Sequence, residues 1–295
     1  MSRHLVFIAS GGRTGTKFLG DLLSDVIEDC WSEHEADMFD GFNALTMQRI
    51  RTFGLWHMVV GRGLGQTGLR GIGTRYLAGE QSLASCAEQI RNERKAYHRG
   101  LTQGLIVESY WRWWMFAGDV PAIFPGARTI GVVRDPRRWI ASWLSHERSR
   151  GKQHWTYRLP PGPFTPERIG DAVWASRWDA LSPVGRLAWE WRTINQRIAD
   201  GAARDPEMRI FRFEDIFASA SPAMAELVSF ASDFPDHAYK TRSLEGFTRS
   251  PRNQSSAEAD GWRGWSNADK AVVDDLCGDL MQRFGYPPAT QAVAA

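Results

Sequence analysis

The sequence predicts an α/β fold in which helices flank a central parallel sheet. Apolar, strand-like runs recur along the chain, at 4–9 (HLVFIA), 104–108 (GLIVE), 128–133 (RTIGVV) and 208–213 (MRIFRF). Helical segments follow the first run at 16–29 and the third run at 137–146. This alternation is typical of parallel sheets, whose strands are joined by crossover helices. Ligands of such sheets bind beyond the carboxyl ends of the strands, where Arg13, Glu108 and Arg134 fall.

Two helices are indicated by hydrophobic periodicity. In 16–29, apolar residues repeat at helical spacing and leave acidic residues outward. Near the end of the chain, SNAD at 266–269 resembles a capping box, an apolar face follows, and Gly285 ends the helix. The tryptophan-rich segment WRWWMF at 111–116 is predicted to form core rather than a pocket wall.

Length and composition favour a single domain over residues 1–295. The chain is 43% hydrophobic and 24% charged, which is ordinary for a globular protein, and no linker separates two halves. Two insertions, about 41–103 and 150–180, are rich in glycine or in proline and aromatic residues. We expect them to be irregular segments that bind an acceptor or form a lid, or ordinary surface loops.

Charge and cysteine content limit the partners and the compartment. A net charge of +2 gives little attraction to nucleic acid or to an anionic membrane. No apolar run approaches the ~20 residues of a transmembrane segment. Three widely spaced cysteines, Cys30, Cys86 and Cys277, suit a reducing compartment. We therefore expect a cytoplasmic protein; a homo-oligomer is compatible with the sequence, which does not determine it.

The segment SGGRTGTKF, residues 10–18, joins the first strand to the first helix. A helix N-terminus presents unpaired amides and the positive end of the helix dipole, so a glycine turn at this point forms an anion cradle. The Walker pattern requires Gly-Lys-Ser/Thr at the helix start. Here Thr16 precedes Lys17 and Phe18 follows it, so the turn is not the standard nucleoside triphosphate loop.

This turn resembles the 5′-phosphosulfate loop of the sulfotransferases, commonly Pro-Lys-Ser-Gly-Thr-Thr-Trp. The matching residues are Gly12, Arg13, Thr14, Gly15, Thr16, Lys17 and Phe18. The segment GVVRDPRRWIASW, 131–143, is similar to the 3′-phosphate motif of the same family, with Arg134 at the strand end and Ser142 eight residues later. RIFRFEDIF at 209–217 and the final GYP resemble segments of bacterial members. The resemblance implies a P-loop-NTPase-like sulfotransferase fold.

Two phosphate motifs on one nucleotide imply the sulfuryl donor 3′-phosphoadenosine 5′-phosphosulfate (PAPS). The family transfers its sulfuryl group to a hydroxyl or amine and releases the diphosphate PAP, and it requires no metal. Arg13 would meet charge that develops at the bridging oxygen. A late basic residue also holds the 3′-phosphate in cytosolic members; their Arg-Lys-Gly triplet is absent here, and Arg252 is our candidate.

The catalytic base is left open between two glutamates. Glu35, in SEHEADMFD, resembles the His-Glu-Pro segment of many bacterial members, with Ala36 in place of proline. Glu108, in VESYW, resembles a Glu-Lys or Glu-Thr segment upstream of the Arg-Asp-Pro motif. His34 is a third candidate. A base needs hydrogen-bond reach and a suitable pKa, and neither can be read from the sequence.

The sequence thus predicts transfer of a sulfuryl group from PAPS to a small-molecule, carbohydrate or lipid acceptor. One alternative is a nucleotide-dependent kinase with a degenerate P-loop, which would require Mg²⁺. Another is a sulfotransferase-like binding module without catalytic activity. The two phosphate motifs and the two candidate bases favour the enzyme.

Overall fold

The computed structural model of the protein describes residues 3–39, 41, 43–150, 160–218, 222–244 and 261–290. Five strands form its main sheet: β1 (His4–Ser10), β2 (Cys30–His34), β3 (Leu105–Ser109), β4 (Arg128–Val133) and β5 (Met208–Arg212). The strand order is β2-β3-β1-β4-β5, and all neighbours are parallel. The predicted α/β class and its parallel sheet are confirmed. A two-stranded antiparallel sheet pairs Asp233–Phe234 with His237–Ala238.

The edge strand β2 was not among the predicted strands. Its sequence, CWSEH, lacks an apolar run, and its side chains are half-buried or exposed. Because an edge strand contacts only one neighbour, hydrogen bonding to β3 forms it without the continuous apolar pattern of the buried strands.

The described part of the chain contains eight α-helices of ten or more residues. They are α1 (Thr16–Val26), α2 (Ala44–Phe53), α3 (Gly68–Leu77), α4 (Leu83–Gly100), α5 (Pro136–Arg150), α6 (Pro183–Arg204), α7 (Ala223–Ser232) and α8 (Asn267–Arg283). A π-helix spans Trp56–Val60. Short helical turns occupy Gly61–Gly63, Trp113–Phe116, Val120–Ile123, Glu167–Ile169, Ala172–Ala175, Trp178–Ala180, Phe213–Ile216 and Gly261–Gly264.

The expectation that residues 41–103 are irregular is wrong. Helices α2, α3 and α4 and the π-helix occupy most of this insertion. Asn43 and Ser82 cap two of these helices by accepting hydrogen bonds from backbone amides. The glycines of α3 permit close packing, since a Cβ on Gly73 would lie 2.3 Å from the sulfur of Met115. Glycine content here reflects tight helix contacts rather than loops.

The sheet is covered on both faces. Val6 and Ile8 of β1 pack in a core with α1 and α7, whereas Phe7 and Ala9 pack in a second core with α4, α6 and α8. The tryptophan-rich segment belongs to the second core, as predicted, because Trp113 and Trp114 are almost completely buried. Alternate residues of each strand therefore face different helices.

The two helices predicted from periodicity are confirmed. Ser266 caps α8 by accepting a hydrogen bond from the Asp269 amide (3.0 Å), and Gly285 follows the helix with φ 72°. Cys86 and Cys277 are buried, Cys30 is half-buried, and all three are free thiols. None of the helices in the described ranges combines the length and apolarity needed to cross a membrane.

Strand order determines where a site can form. β1 lies between β3 and β4, so the segments that follow these three strands meet at one edge of the sheet. Those segments contain the glycine turn, the residues after Glu108 and the Arg-Asp-Pro motif.

Candidate active site

The glycine turn after β1 is held in a strained conformation by its neighbours. Gly12, Arg13 and Gly15 have positive φ angles of 70°, 53° and 73°. The Ser10 hydroxyl accepts hydrogen bonds from the Gly12 amide (3.2 Å) and the Thr14 hydroxyl (2.8 Å). From α5, Trp139 Nε1 donates to the Gly12 carbonyl (2.9 Å). The turn is therefore ordered by its own protein contacts.

Helix α1 begins at this turn and presents its first amides there. Its first intrahelical bond runs from the Leu19 amide to the Gly15 carbonyl (2.9 Å). The preceding amides, those of Thr16, Lys17 and Phe18, belong to the N-terminal turn that lacks intrahelical acceptors. No acidic residue occupies that turn of the helix. The arrangement is suited to bind an anion.

The predicted phosphate-binding residues come together. Arg13 Nε donates to the Ser142 hydroxyl (3.2 Å), and Arg134 Nη1 donates to the Arg13 carbonyl (2.6 Å). The Arg134 guanidinium also stacks on Phe213, 4.4 Å from the ring centre. The two motifs, 121 residues apart in the sequence, therefore form one cluster.

Electrostatics in this cluster favour an anionic ligand. Burial lowers the pKa of Arg134, and the cationic Arg13 and Arg138 lower it further, against the opposing effect of Glu214. Within the described part of the chain, the buried Nε of Arg134 has no hydrogen-bond partner. A bound phosphate would supply both the negative charge and the acceptor.

The acidic residue of the Arg-Asp-Pro motif has a structural role. Asp135 Oδ1 accepts a hydrogen bond from the Arg137 amide at the start of α5 (2.9 Å), and its carboxylate also binds the Arg137 side chain. The Asp135 amide donates to Glu214 (3.1 Å), which accepts a hydrogen bond from Tyr286 (2.8 Å). These bonds anchor the backbone next to Arg134.

Glu35 follows β2 directly, in a left-handed conformation with φ 53°. Its amide donates to the Ser109 carbonyl (3.3 Å), and His34 Nδ1 donates to the same oxygen (2.8 Å). This bond places the proton of a neutral His34 on Nδ1. His34 Nε2 then lies 3.9 Å from Glu35 Oε1. The Glu35 side chain is 12% exposed, so it keeps limited access to solvent.

Glu108 lies in a different environment. Its carboxylate is 3% exposed and accepts hydrogen bonds from Arg94 Nε and His98 Nε2, both at 2.9 Å. Burial raises the pKa of Glu108, but Arg94 and His98 outweigh burial and lower it overall. Both oxygens are therefore engaged by cationic or donor groups of α4, on the sheet face opposite α1.

Ser109 connects the Glu35 turn to the first turn of α1. Its carbonyl holds His34 and Glu35, and its hydroxyl donates to the Thr16 carbonyl in the first turn of α1. Ser109, Ser10 and Trp139 were not among the predicted site residues. Their only signal was position: each lies at a strand end or in the helix after the Arg-Asp-Pro motif.

Two further expectations remain predictions. Arg252 lies outside the described residues, so its predicted role has no structural account. Within the described ranges, no group of three or more His, Cys, Asp or Glu side chains is arranged to hold a metal ion; independence from metal is still untested. A groove of about 920 Å³ along α6 is lined by Trp114, Trp174 and Trp189 among others, and by none of the predicted site residues. The candidate site is therefore separate from this groove.

Structural comparison identifies the fold. The chain is similar to the crystal structure of sulfotransferase STF9 from Mycobacterium avium, with 12% identity, a TM-score of 0.52, and coverage of 98% of this chain and 79% of that chain. Lower scores were found for the sulfotransferase domains of the Synechococcus PCC 7002 olefin synthase (16% identity, 97% and 96% coverage, TM-score 0.47) and of the curacin biosynthetic pathway (14%, 97% and 99%, 0.45). No protein-family model and no curated protein matches the sequence. The chain therefore has the fold of the sulfotransferases, as its motifs predict.

Proposed function

We propose that this chain is a PAPS-dependent sulfotransferase that releases PAP. One observation carries the proposal: the glycine turn and the Arg-Asp-Pro segment, each of which resembles a phosphate motif of that family, meet through Arg13, Arg134 and Ser142. The sulfotransferase fold supports the same activity. A kinase would need the Walker lysine placement, which this turn lacks.

In the proposed reaction, each part of the cluster has a separate task. The N-terminal amides of α1 and Arg13 hold the sulfonate end of PAPS and stabilise negative charge on the bridging oxygen as its bond to sulfur breaks. Arg134 and Ser142 bind the 3′-phosphate. Glu35 accepts the proton of the acceptor hydroxyl or amine as that atom bonds to sulfur.

We assign the base to Glu35 rather than Glu108 because of their contacts. A carboxylate whose oxygens are held by Arg94 and His98 is a weak base and is shielded from an acceptor. Among the described residues, the ion pairs of the Glu35 carboxylate are limited to a distant contact with His34 (3.9 Å). The Glu35 amide binds the Ser109 carbonyl, and the Ser109 hydroxyl binds the first turn of α1. His34, with Nε2 free of the Ser109 bond, is the alternative base.

The acceptor is proposed to bind beside residues 41–103. Large apolar side chains with exposed surface are concentrated in part of this insertion, namely Leu45, Met47, Leu55, Trp56, Val60 and Leu64. Such a surface suits an acceptor with an apolar portion. The choice among small-molecule, carbohydrate and lipid acceptors, and between a hydroxyl and an amine, requires an acceptor screen with labelled PAPS. The cytoplasmic location is likewise an expectation.

Ligand-dependent melting tests the donor. PAP should raise the melting temperature in the presence of EDTA, because a ligand selective for the folded state stabilises it. ATP with Mg²⁺ is the matched comparison. Stabilisation by ATP with Mg²⁺ but not by PAP would overturn the proposal in favour of a kinase.

Substitution of the two glutamates tests the base. Glu35→Gln should lower turnover by about 10²- to 10⁴-fold while PAP still binds. Glu108→Gln is the matched comparison: it should lower stability by about 3–5 kcal/mol, because it removes one of the two carboxylates paired with the buried Arg94, and the folded enzyme should lose far less turnover than Glu35→Gln does. Normal turnover in Glu35→Gln would transfer the role to His34 or Glu108.

A further inference from the structure

Asp37, two residues after Glu35, is the centre of a buried charge network. Its carboxylate is completely buried, and Oδ2 contacts His57 Nε2 (2.9 Å), Arg62 Nη2 (3.1 Å) and Arg94 Nη1 (3.1 Å). Arg62 also donates to the Asp37 carbonyl (2.6 Å). The π-helix, the turn after it and α4 therefore all hold this one residue.

The network continues to the central sheet. Arg94 is 1% exposed and bridges Asp37 to Glu108 at the end of β3. On the other side, His57 Nδ1 lies 3.3 Å from Glu93 of α4. Burial raises the pKa of Asp37, but Arg94, Arg62 and His57 outweigh it and hold the pKa well below its usual value. Asp37 is thus ionised at neutral pH and keeps these contacts.

Stability alone is a weak reason for such a network. Removing charges from water is unfavourable, and a buried ion network is often no more stabilising than apolar side chains of similar size. Its position gives a better reason. The network holds the segment immediately after Glu35. Glu35 has a φ of 53°, a backbone conformation that costs a non-glycine residue about 1–3 kcal/mol.

The Glu35 turn is held on both sides. Before it, the Ser109 carbonyl binds the His34 side chain and the Glu35 amide. After it, the Met38 amide donates to the Glu35 carbonyl (2.8 Å), and Arg49 Nη1 donates to the Met38 carbonyl (2.8 Å). Asp37 lies between these contacts, and its ion pairs hold this part of the backbone.

We propose that Asp37 is a positioning residue, which through Arg62 and Arg94 holds the strained turn so that the Glu35 carboxylate stays in its reactive place. This inference rests on the proposed function, because it assigns Asp37 a role in the reaction of that same site. Asp37 itself contacts no reacting atom. Glu108, the other candidate base, pairs with Arg94 and helps to hold it in place.

The test compares Asp37→Asn with a matched control, Asp119→Asn. Asp119 is also a buried carboxylate with two arginines and a tyrosine hydroxyl: Arg197 (2.6 Å), Arg204 (3.6 Å) and Tyr76 (3.0 Å). Both substitutions should lower the melting temperature, and both variants should bind PAP. Only Asp37→Asn should lower kcat, by about 10- to 100-fold, with an unchanged acceptor KM.

A double-mutant cycle separates positioning from a purely structural role. If Asp37 acts through Glu35, Asp37→Asn should cause little further loss of kcat in the Glu35→Gln background. The inference is overturned if Asp37→Asn keeps kcat within about twofold of wild type, or if its effect persists undiminished beside Glu35→Gln. Should Asp37→Asn fail to fold, Arg62→Gln replaces it under the same criteria, since Arg62 is 26% exposed and less critical to the core.

The failure of the proposed function can be recognised separately. A wild-type protein that does not bind PAP would overturn the function and this inference together. PAP binding and normal dependence on Glu35, with unchanged kcat in Asp37→Asn, would overturn the inference alone.

Discussion

Replacement of Arg134 by alanine should remove most of the affinity for PAP while leaving the fold intact. In the folded protein, Arg134 donates to the Arg13 carbonyl (2.6 Å) and stacks on Phe213, and its buried Nε has no partner among the described residues. Burial and the nearby Arg13 and Arg138 already disfavour its charge, as its lowered pKa indicates. Loss of this cation should therefore affect the free protein little.

The expected loss follows from the contacts that Arg134 offers. A hydrogen bond to a charged group contributes about 1.5–3 kcal/mol, which corresponds to a loss of about 10- to 150-fold in PAP affinity. Titration calorimetry with PAP measures this directly. Arg134→Lys should recover only part of the affinity, because an ammonium group lacks the planar fork that stacks on Phe213 and binds phosphate.

Arg209→Ala provides the control for Arg134→Ala. Arg209 of β5 also stacks on an aromatic ring, Phe230, at 4.8 Å, and the sequence analysis gives it no role in binding. Its removal should leave PAP affinity unchanged. If Arg134→Ala also binds PAP with wild-type affinity, our placement of the 3′-phosphate is wrong.

Three further predictions concern stability, each measured by urea unfolding. Gly15→Ala should destabilise by about 1–3 kcal/mol, because Gly15 has φ 73° and a Cβ there would lie 2.9 Å from Phe217; unchanged stability would contradict this geometry. Gly278→Ala should stabilise by about 0.5–1 kcal/mol, because Gly278 lies inside α8 and its Cβ would meet nothing within 4 Å; a lower midpoint would refute this. Burial lowers the pKa of His57, but its contacts with Asp37 and Glu93 outweigh burial and raise the pKa above 6.5. The stabilisation of the fold by protonated His57 is therefore complete below pH 6.5 and is lost as the pH rises through the folded-state pKa. In His57→Gln, the free energy of unfolding should lack this fall with rising pH. Parallel curves of unfolding free energy against pH for wild type and variant would contradict the prediction.

Local patterns in the sequence were sufficient to predict the fold class and the glycine turn between β1 and α1. The apolar runs at β1, β3, β4 and β5 predict buried strands, and the periodicity of α1 and α8 predicts their apolar faces. These features depend on neighbouring residues, which the sequence displays directly. The contact between Arg13 and Ser142, by contrast, joins residues 129 positions apart and depends on the parallel pairing of β1 with β4.

Our proposal of Glu35 rather than Glu108 as the base rests on the tertiary structure. Each glutamate lies in a segment that resembles one of the family, and the sequence does not show which face of the sheet each side chain meets, because neighbouring residues of one strand point to opposite faces. Ser109 faces α1, whereas Glu108 meets Arg94 and His98 of α4. Likewise, the three basic side chains that hold Asp37 come from residues 20 to 57 positions away. Such contacts depend on how separate elements pack, and side-chain pairing across that distance leaves no periodic signal in the sequence.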